Sequence, residues 1–468
     1  MFDPGQNTLL PILQPVEGVM ITDVAAAQPR TLQGVILDKA PGIDLDQNFY
    51  DAGVGVLNIR SVYDFDGVDT AKPNIASLAD PAKTPAAQRP ARFIRLEKPV
   101  SLPSRKQLKL ADQAFGATPY MRQILGYAPI EPDGSVRIEV PANVAFQVSV
   151  LDVNGQRISP VHSAWLQVRP GEELKCIGCH TPAAAQNPPT GQMALSHGRT
   201  GTFNSAYPGA TGTGVAFPNT VAVFSPNAGE TMAETRSRTS CASDTPKCAA
   251  MVPSVEVAYT DVWTNVAAGL TANPPITYSY ADPSFTTAPP TSLTCENGWA
   301  SNCRIVVNYT EHVQPLWDKP RQVTDAMGNV IADHTCTRGG CHSLKDAMGA
   351  AQVPAGQLDL SNTASSDEPL QLTSYRKLLF THNEQTVNMG ALQDVLVGQP
   401  PAPVTISPAL LAGDAHDSTR FFARFATGSG NANHAGIMSP AELRLLSEWV
   451  DIGAQYFNNP FDPAAPLN

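Results

Sequence analysis

Cys176-Ile177-Gly178-Cys179-His180 has the residue types and spacing for covalent attachment of haem c. Two thiols three positions apart add across the porphyrin vinyl groups, and the adjoining imidazole becomes the proximal iron ligand. A redox dithiol and half of a zinc site are the competing readings. A second stretch, Cys336-Thr337-Arg338-Gly339-Gly340-Cys341-His342, keeps the terminal Cys-His but separates its cysteines by four residues. Gly339 and Gly340 give this longer loop the backbone freedom to fold back, so that both sulfurs reach one porphyrin. Here the competing reading is a local disulfide followed by an unrelated histidine.

The sixth ligand of each iron separates a carrier from an enzyme, because an occupied position restricts the iron to outer-sphere electron transfer and an open one binds substrate. For the His342 iron, His434 in Asn433-His434-Ala435-Gly436-Ile437-Met438 is the first choice, with Met438 and His312 as alternatives. For the His180 iron, His197 is the nearest downstream candidate and His312 the next; an open site remains an alternative. His162, His334, His382 and His416 have no supporting context, and the commonest fate of a lone histidine is a hydrogen-bonded structural imidazole. Arg199 and Arg338 could pair haem propionates, although a solvent-facing arginine is the more frequent outcome. Asp64, Asp66 and Asp69 surround a turn that could hold calcium, although an Asx turn is the simpler reading.

Eight cysteines leave four outside the two motifs, Cys241, Cys248, Cys295 and Cys303. They fall into two close pairs, 241 with 248 and 295 with 303, while cross-pairings stay open. Haem c and disulfides both belong to the periplasm, the cell surface or the extracellular space. Met1 to Ile12 has neither the basic nor the apolar region of a signal peptide, so the sequence is expected to be a mature or truncated product of an exported protein. The net charge of -11 argues against nucleic acid and anionic membrane surfaces, and no apolar run has transmembrane length.

The elements that must position these residues are expected to form an α+β multidomain protein. Residues 1–53 read as an extension or linker. From 54 to 200, alternating segments such as Val136, Ile138, Val140 and Phe146 to Val150, bounded by Asp-Gly and Asn-Gly turns, predict a β-rich, sandwich-like domain ending in the first motif. From 201 to 310, Pro, Ser and Thr predict a loop-rich insert braced by the disulfides. From 311 to 468 a mainly α-helical, cytochrome c-like domain is expected around the second motif. Its clearest helix starts at Ser439-Pro440-Ala441-Glu442, puts Leu443, Leu446, Trp449 and Val450 on one face, and stops at Gly453.

The run Gly134 to Val150, the tract Trp165 to Glu172 ahead of Cys176, and the ending Glu448 to Tyr456 resemble the hydrazine synthase alpha subunit family. The resemblance covers roughly Val54 to the C-terminus. It implies a β-rich middle domain with one haem c and a C-terminal cytochrome c domain with another. It also implies that this chain corresponds to the cytochrome-bearing part of relatives that carry an N-terminal β-propeller. In that family the middle-domain haem is catalytic and has a tyrosine ligand just beyond the attachment motif. Here Thr181-Pro182-Ala183-Ala184-Ala185-Gln186 follows His180 without a tyrosine. The four-residue cysteine spacing of the second motif is similar to that of low-potential multihaem cytochromes.

The sequence therefore predicts two haem c groups and single-electron relay between redox partner proteins, other multihaem cytochromes among them. The alternatives are a haem oxidoreductase acting on a small nitrogen or oxygen species at His180, and a homo-oligomer or conductive filament.

Overall fold

The computed structural model describes residues 2–3, 5–9, 16–20, 38–102, 121–160, 162, 164–180, 206–241, 248–426, 434–457 and 461. The chain divides into two compact units, Met1–Ala40 and Pro41–Asn468. In the first, Phe2–Asp3 pairs antiparallel with Thr8–Leu9.

The second unit is organised by six strands, β1 (Val54–Ile59), β2 (Phe93–Val100), β3 (Met121–Pro129), β4 (Val136–Pro141), β5 (Gln147–Leu151) and β6 (Glu173–Cys176). One sheet has β1 at its centre, antiparallel to β4 and parallel to β6. The other has β2 at its centre, antiparallel to β3 and β5. Side chains alternate between faces along each strand. Leu57, Ile59, Ile94, Leu96, Leu125, Ile138, Val140 and Leu174 consequently share one core, the β-rich sandwich expected of this region.

The β2-centred sheet is also buried on its other face. Phe93, Ile124, Tyr127 and Leu151 belong to a second core with Val307, Tyr309, Trp317, Tyr375, Leu446 and Trp449. That double burial brings charge into the interior. Arg95 is fully buried and pairs with Glu97 at 2.8 Å and with Asp451 at 3.3 Å.

The stretch expected to be loop-rich contains a helix, α1 (Met232–Ser240), started by a capping box in which Thr231 and Glu234 satisfy each other's backbone N–H groups. The signal Thr231-Met232-Ala233-Glu234 is present in the sequence, but its surroundings are too polar to give an apolar stripe. Both local disulfides form, Cys241–Cys248 and Cys295–Cys303, and none of Cys176, Cys179, Cys336 and Cys341 is disulfide-bonded.

After residue 311 the described residues are of mixed structure rather than mainly helical. Helices α2 (Gln314–Asp318), α3 (Thr373–Leu379), α4 (Thr419–Phe422) and α5 (Pro440–Asp451) alternate with hairpins, Gln322–Thr324 with Val330–Asp333 and Gln385–Asn388 with Ala391–Asp394. Turns such as Asp325-Ala326-Met327-Gly328-Asn329 cause this. Asp325 accepts from the N–H groups of Met327 and Asn329, and Gly328 takes a left-handed φ of 84°. The helix expected at Ser439 forms with its capping box and Pro440 in the first turn. Leu446, Trp449 and Val450 are buried as expected, Leu443 is only half-buried, and the opposite face is covered as well. Among the described residues no helix is long and apolar enough to cross a membrane.

Candidate haem sites

The first motif continues β6. Lys175 and Cys176 pair in parallel with Asn58 and Ile59, and the chain then runs along the loop after β1. Arg60 N–H donates to Cys176 O, Cys179 N–H to Asp64 O at 2.8 Å, and Asp66 N–H to Cys179 O at 3.0 Å. Gly178 is required by this approach, because a Cβ there would lie 2.2 Å from Asp64 O. Burial, with Asp64 and Asp66 close by, pushes the Cys179 thiol up to about 11. The His180 ring faces His162, with ring centres 6.3 Å apart and planes at 90°. Nδ1 of His162 lies 2.6 Å from Ala164 O.

Asp64 and Asp69 act in turns rather than converging. Asp64 accepts from Gly67 and Ala206 N–H groups, and Asp69 from Ala71 and Ile75. Among the described residues no group of three or more His, Cys, Asp or Glu is arranged to hold a metal ion such as calcium.

The second motif closes as a tight loop. His342 N–H donates to Cys336 O at 3.0 Å and Cys341 N–H to Arg338 O at 3.1 Å. Both glycines are needed, since Gly340 has a φ of +89° and a Cβ on Gly339 would lie 2.5 Å from Asp346 O. The loop opens onto a cavity of about 280 Å³, whose lining includes Cys336, His342 and His434. The two imidazoles face each other with ring centres 5.9 Å apart and planes inclined by 30°. Imidazoles sharing one iron through bonds of about 2 Å would have ring centres about 6 Å apart. Nδ1 of His342 lies 3.0 Å from Leu358 O, which places a donating hydrogen on Nδ1 and makes Nε2 the nitrogen that an iron would use. Trp317, Phe421 and Phe425 supply aromatic wall, and Arg420 and Arg424 supply positive charge. Thiol, paired imidazoles, apolar wall and cationic rim are the donor set that a haem c with two propionates would use.

The alternatives fare differently. His312 does not line this cavity. It is buried, its Nδ1 accepts the Asn308 N–H at 3.2 Å, and the proton of the neutral ring is therefore on Nε2, the nitrogen a ligand would need bare. Met438 is buried in the core ahead of α5 and does not line the cavity either. Arg338 is absent from the lining, where Arg420 and Arg424 stand instead. His197 and Arg199 lie outside the described residues. The sequence reading missed these residues of α4 and the turn after it, although Arg420-Phe421-Phe422-Ala423-Arg424-Phe425 repeats Arg and Phe at a helical spacing of four.

Residues 94–181 match the family model of the hydrazine synthase alpha subunit middle domain. This segment is similar to that domain. The match runs from β2 through the first motif and stops short of the second, a narrower span than the resemblance from Val54 onward. Among solved structures, hydrazine synthase from Kuenenia stuttgartiensis is similar at 13% identity and a TM-score of 0.35. That alignment covers 88% of this chain and 44% of the other, so the chain spans less than half of its length. No curated protein matches.

Proposed function

We propose that this chain is a dihaem c-type cytochrome, exported from the cytosol, that relays single electrons between redox partners. The observation that carries the reading is the pair His342 and His434, facing each other at 5.9 Å over a cavity that Cys336 also lines. A haem bound there would supply one-electron chemistry at a potential lowered by two nitrogen ligands. The chain's own residues have separate tasks. Leu358 O orients His342, His434 closes the opposite side, Trp317, Phe421 and Phe425 exclude water, and Arg420 and Arg424 offset propionate charge. Two disulfides fit an oxidising compartment.

The match of residues 94–181 favours a second reading, a haem oxidoreductase acting on a small nitrogen species at the first motif. One experiment separates the two. Intact mass under denaturing conditions should exceed the polypeptide by two haems, and the dithionite-reduced spectrum should not change under carbon monoxide. A covalent mass of one haem or none would remove the dihaem reading. A shifted Soret band would mean an open iron and favour the enzyme.

A further inference from the structure

His162 carried no weight in the sequence, where nothing around it supports a ligand role and it stands 18 positions before His180. The fold closes that distance. β5 and β6 are anchored in different sheets, and the connection between them returns past the first motif. Along it Phe146 and Leu166 exchange backbone hydrogen bonds at 2.8 Å, and the Gln147 side-chain amide donates to His162 O. His162 is thereby held opposite His180, with ring centres 6.3 Å apart.

Resting on the haem c reading above, we propose that His162 is the distal axial ligand of the iron held by His180. An edge contact between two aromatic rings would have a similar separation. The tautomer of His162 is the one that ligation through Nε2 requires. Nδ1 of His162 is 2.6 Å from Ala164 O, and a carbonyl only accepts, so Nδ1 carries the hydrogen and Nε2 presents its lone pair. A backbone carbonyl on the far nitrogen is the usual support of a metal-ligating imidazole, and His342 has the same arrangement with Leu358. The two sites then differ in the angle between the axial planes, 90° in the first and 30° in the second. Perpendicular planes leave the iron d orbitals nearly degenerate, whereas planes close to parallel split them.

Electron paramagnetic resonance of the full oxidised chain should therefore show two low-spin ferric species, one strongly anisotropic with a large g maximum and one rhombic. In His162→Ala the anisotropic species should disappear and a high-spin signal replace it. The reduced protein should bind carbon monoxide at one iron, its mass should still include two haems, and added imidazole should restore the low-spin state. Persistence of both low-spin species in His162→Ala would overturn the assignment, as would loss of the anisotropic species in His197→Ala. Neither result would touch the haem reading, which fails separately if wild-type protein has no haem on Cys176 and Cys179, and that outcome would overturn both.

Discussion

An imidazole can ligate a metal, hydrogen-bond or stay neutral in a core, and its neighbours choose among these. His434 has the ring of His342 at 5.9 Å on one side and Phe425 at 5.6 Å on another, the surroundings from which the ligand role is proposed. Replacing His434 with Ala should convert one of two haems to a high-spin form that binds carbon monoxide, with covalent haem content unchanged; an unaltered low-spin spectrum would remove His434 from the site. His312 illustrates the third fate. Burial lowers it to about 4, so the folded protein refuses a proton that the unfolded chain takes up between about pH 6.5 and pH 4. Stability is lost as pH falls through that window, by at most on the order of 3 kcal/mol. Asp133 works in the opposite sense. Burial raises it to about 6, so the folded state holds a proton that the unfolded chain has released, and stability increases as pH falls from about 6 to 4. Urea midpoints at about pH 7 and about pH 4.5 should therefore differ less in His312→Gln than in wild type, and more in Asp133→Asn. The two Cys-His motifs could be read from the sequence because the attachment chemistry proposed for them needs a contiguous pattern. The approach of His162 to His180 could not, because rings brought together by tertiary structure leave no local spacing.

Helix α5 was legible as an element for the same reason, since its start is written in consecutive residues. Ser439 Oγ accepts the Glu442 N–H at 3.1 Å, and Glu442 accepts the Ser439 N–H at 2.8 Å. Ser439→Ala should cost about 1 kcal/mol in denaturant unfolding, as expected of a lost cap. Glu442→Ala should cost more, on the order of 3 kcal/mol or above, because Lys319 and Arg321 would lose the buried carboxylate they share. A midpoint for Glu442→Ala no lower than that of Ser439→Ala would show that those ion pairs contribute nothing. The surroundings of α5 were not legible. Periodicity marks an apolar stripe, but Arg444, Glu448 and Asp451 on the polar side are buried too, with Arg444 paired to Glu448 at 2.9 Å and Tyr280 donating to that same carboxylate. Hydropathy cannot distinguish charge that meets solvent from charge that meets charge.

At the scale of the molecule, the segments before and after residue 311 are joined through the β2-centred sheet. Asp451 accepts from Arg95 and Arg157, Gln455 accepts the Arg122 N–H and donates to Val307 O, and Glu448 accepts from Tyr127. Heat should therefore unfold Pro41–Asn468 in one transition by tryptophan fluorescence and by calorimetry; two resolved transitions would show that the halves are stable independently. Alternation made the sandwich readable, but a sheet buried on both faces has no polar side to announce its second partner. The parallel pairing of β6 with β1 has a further consequence, one of timing. Asn58 and Glu173, hydrogen-bonded across that pair, are 115 residues apart in the chain, and so distant a closure forms late compared with local hairpins. In a chain exported and given haem c as proposed above, Cys176, Cys179 and His180 would stay on open polypeptide until β6 docks, and that interval is when both thiols would be accessible to a maturation enzyme. A chain whose sheet closed too early would be well folded and permanently without the haem proposed for its first motif.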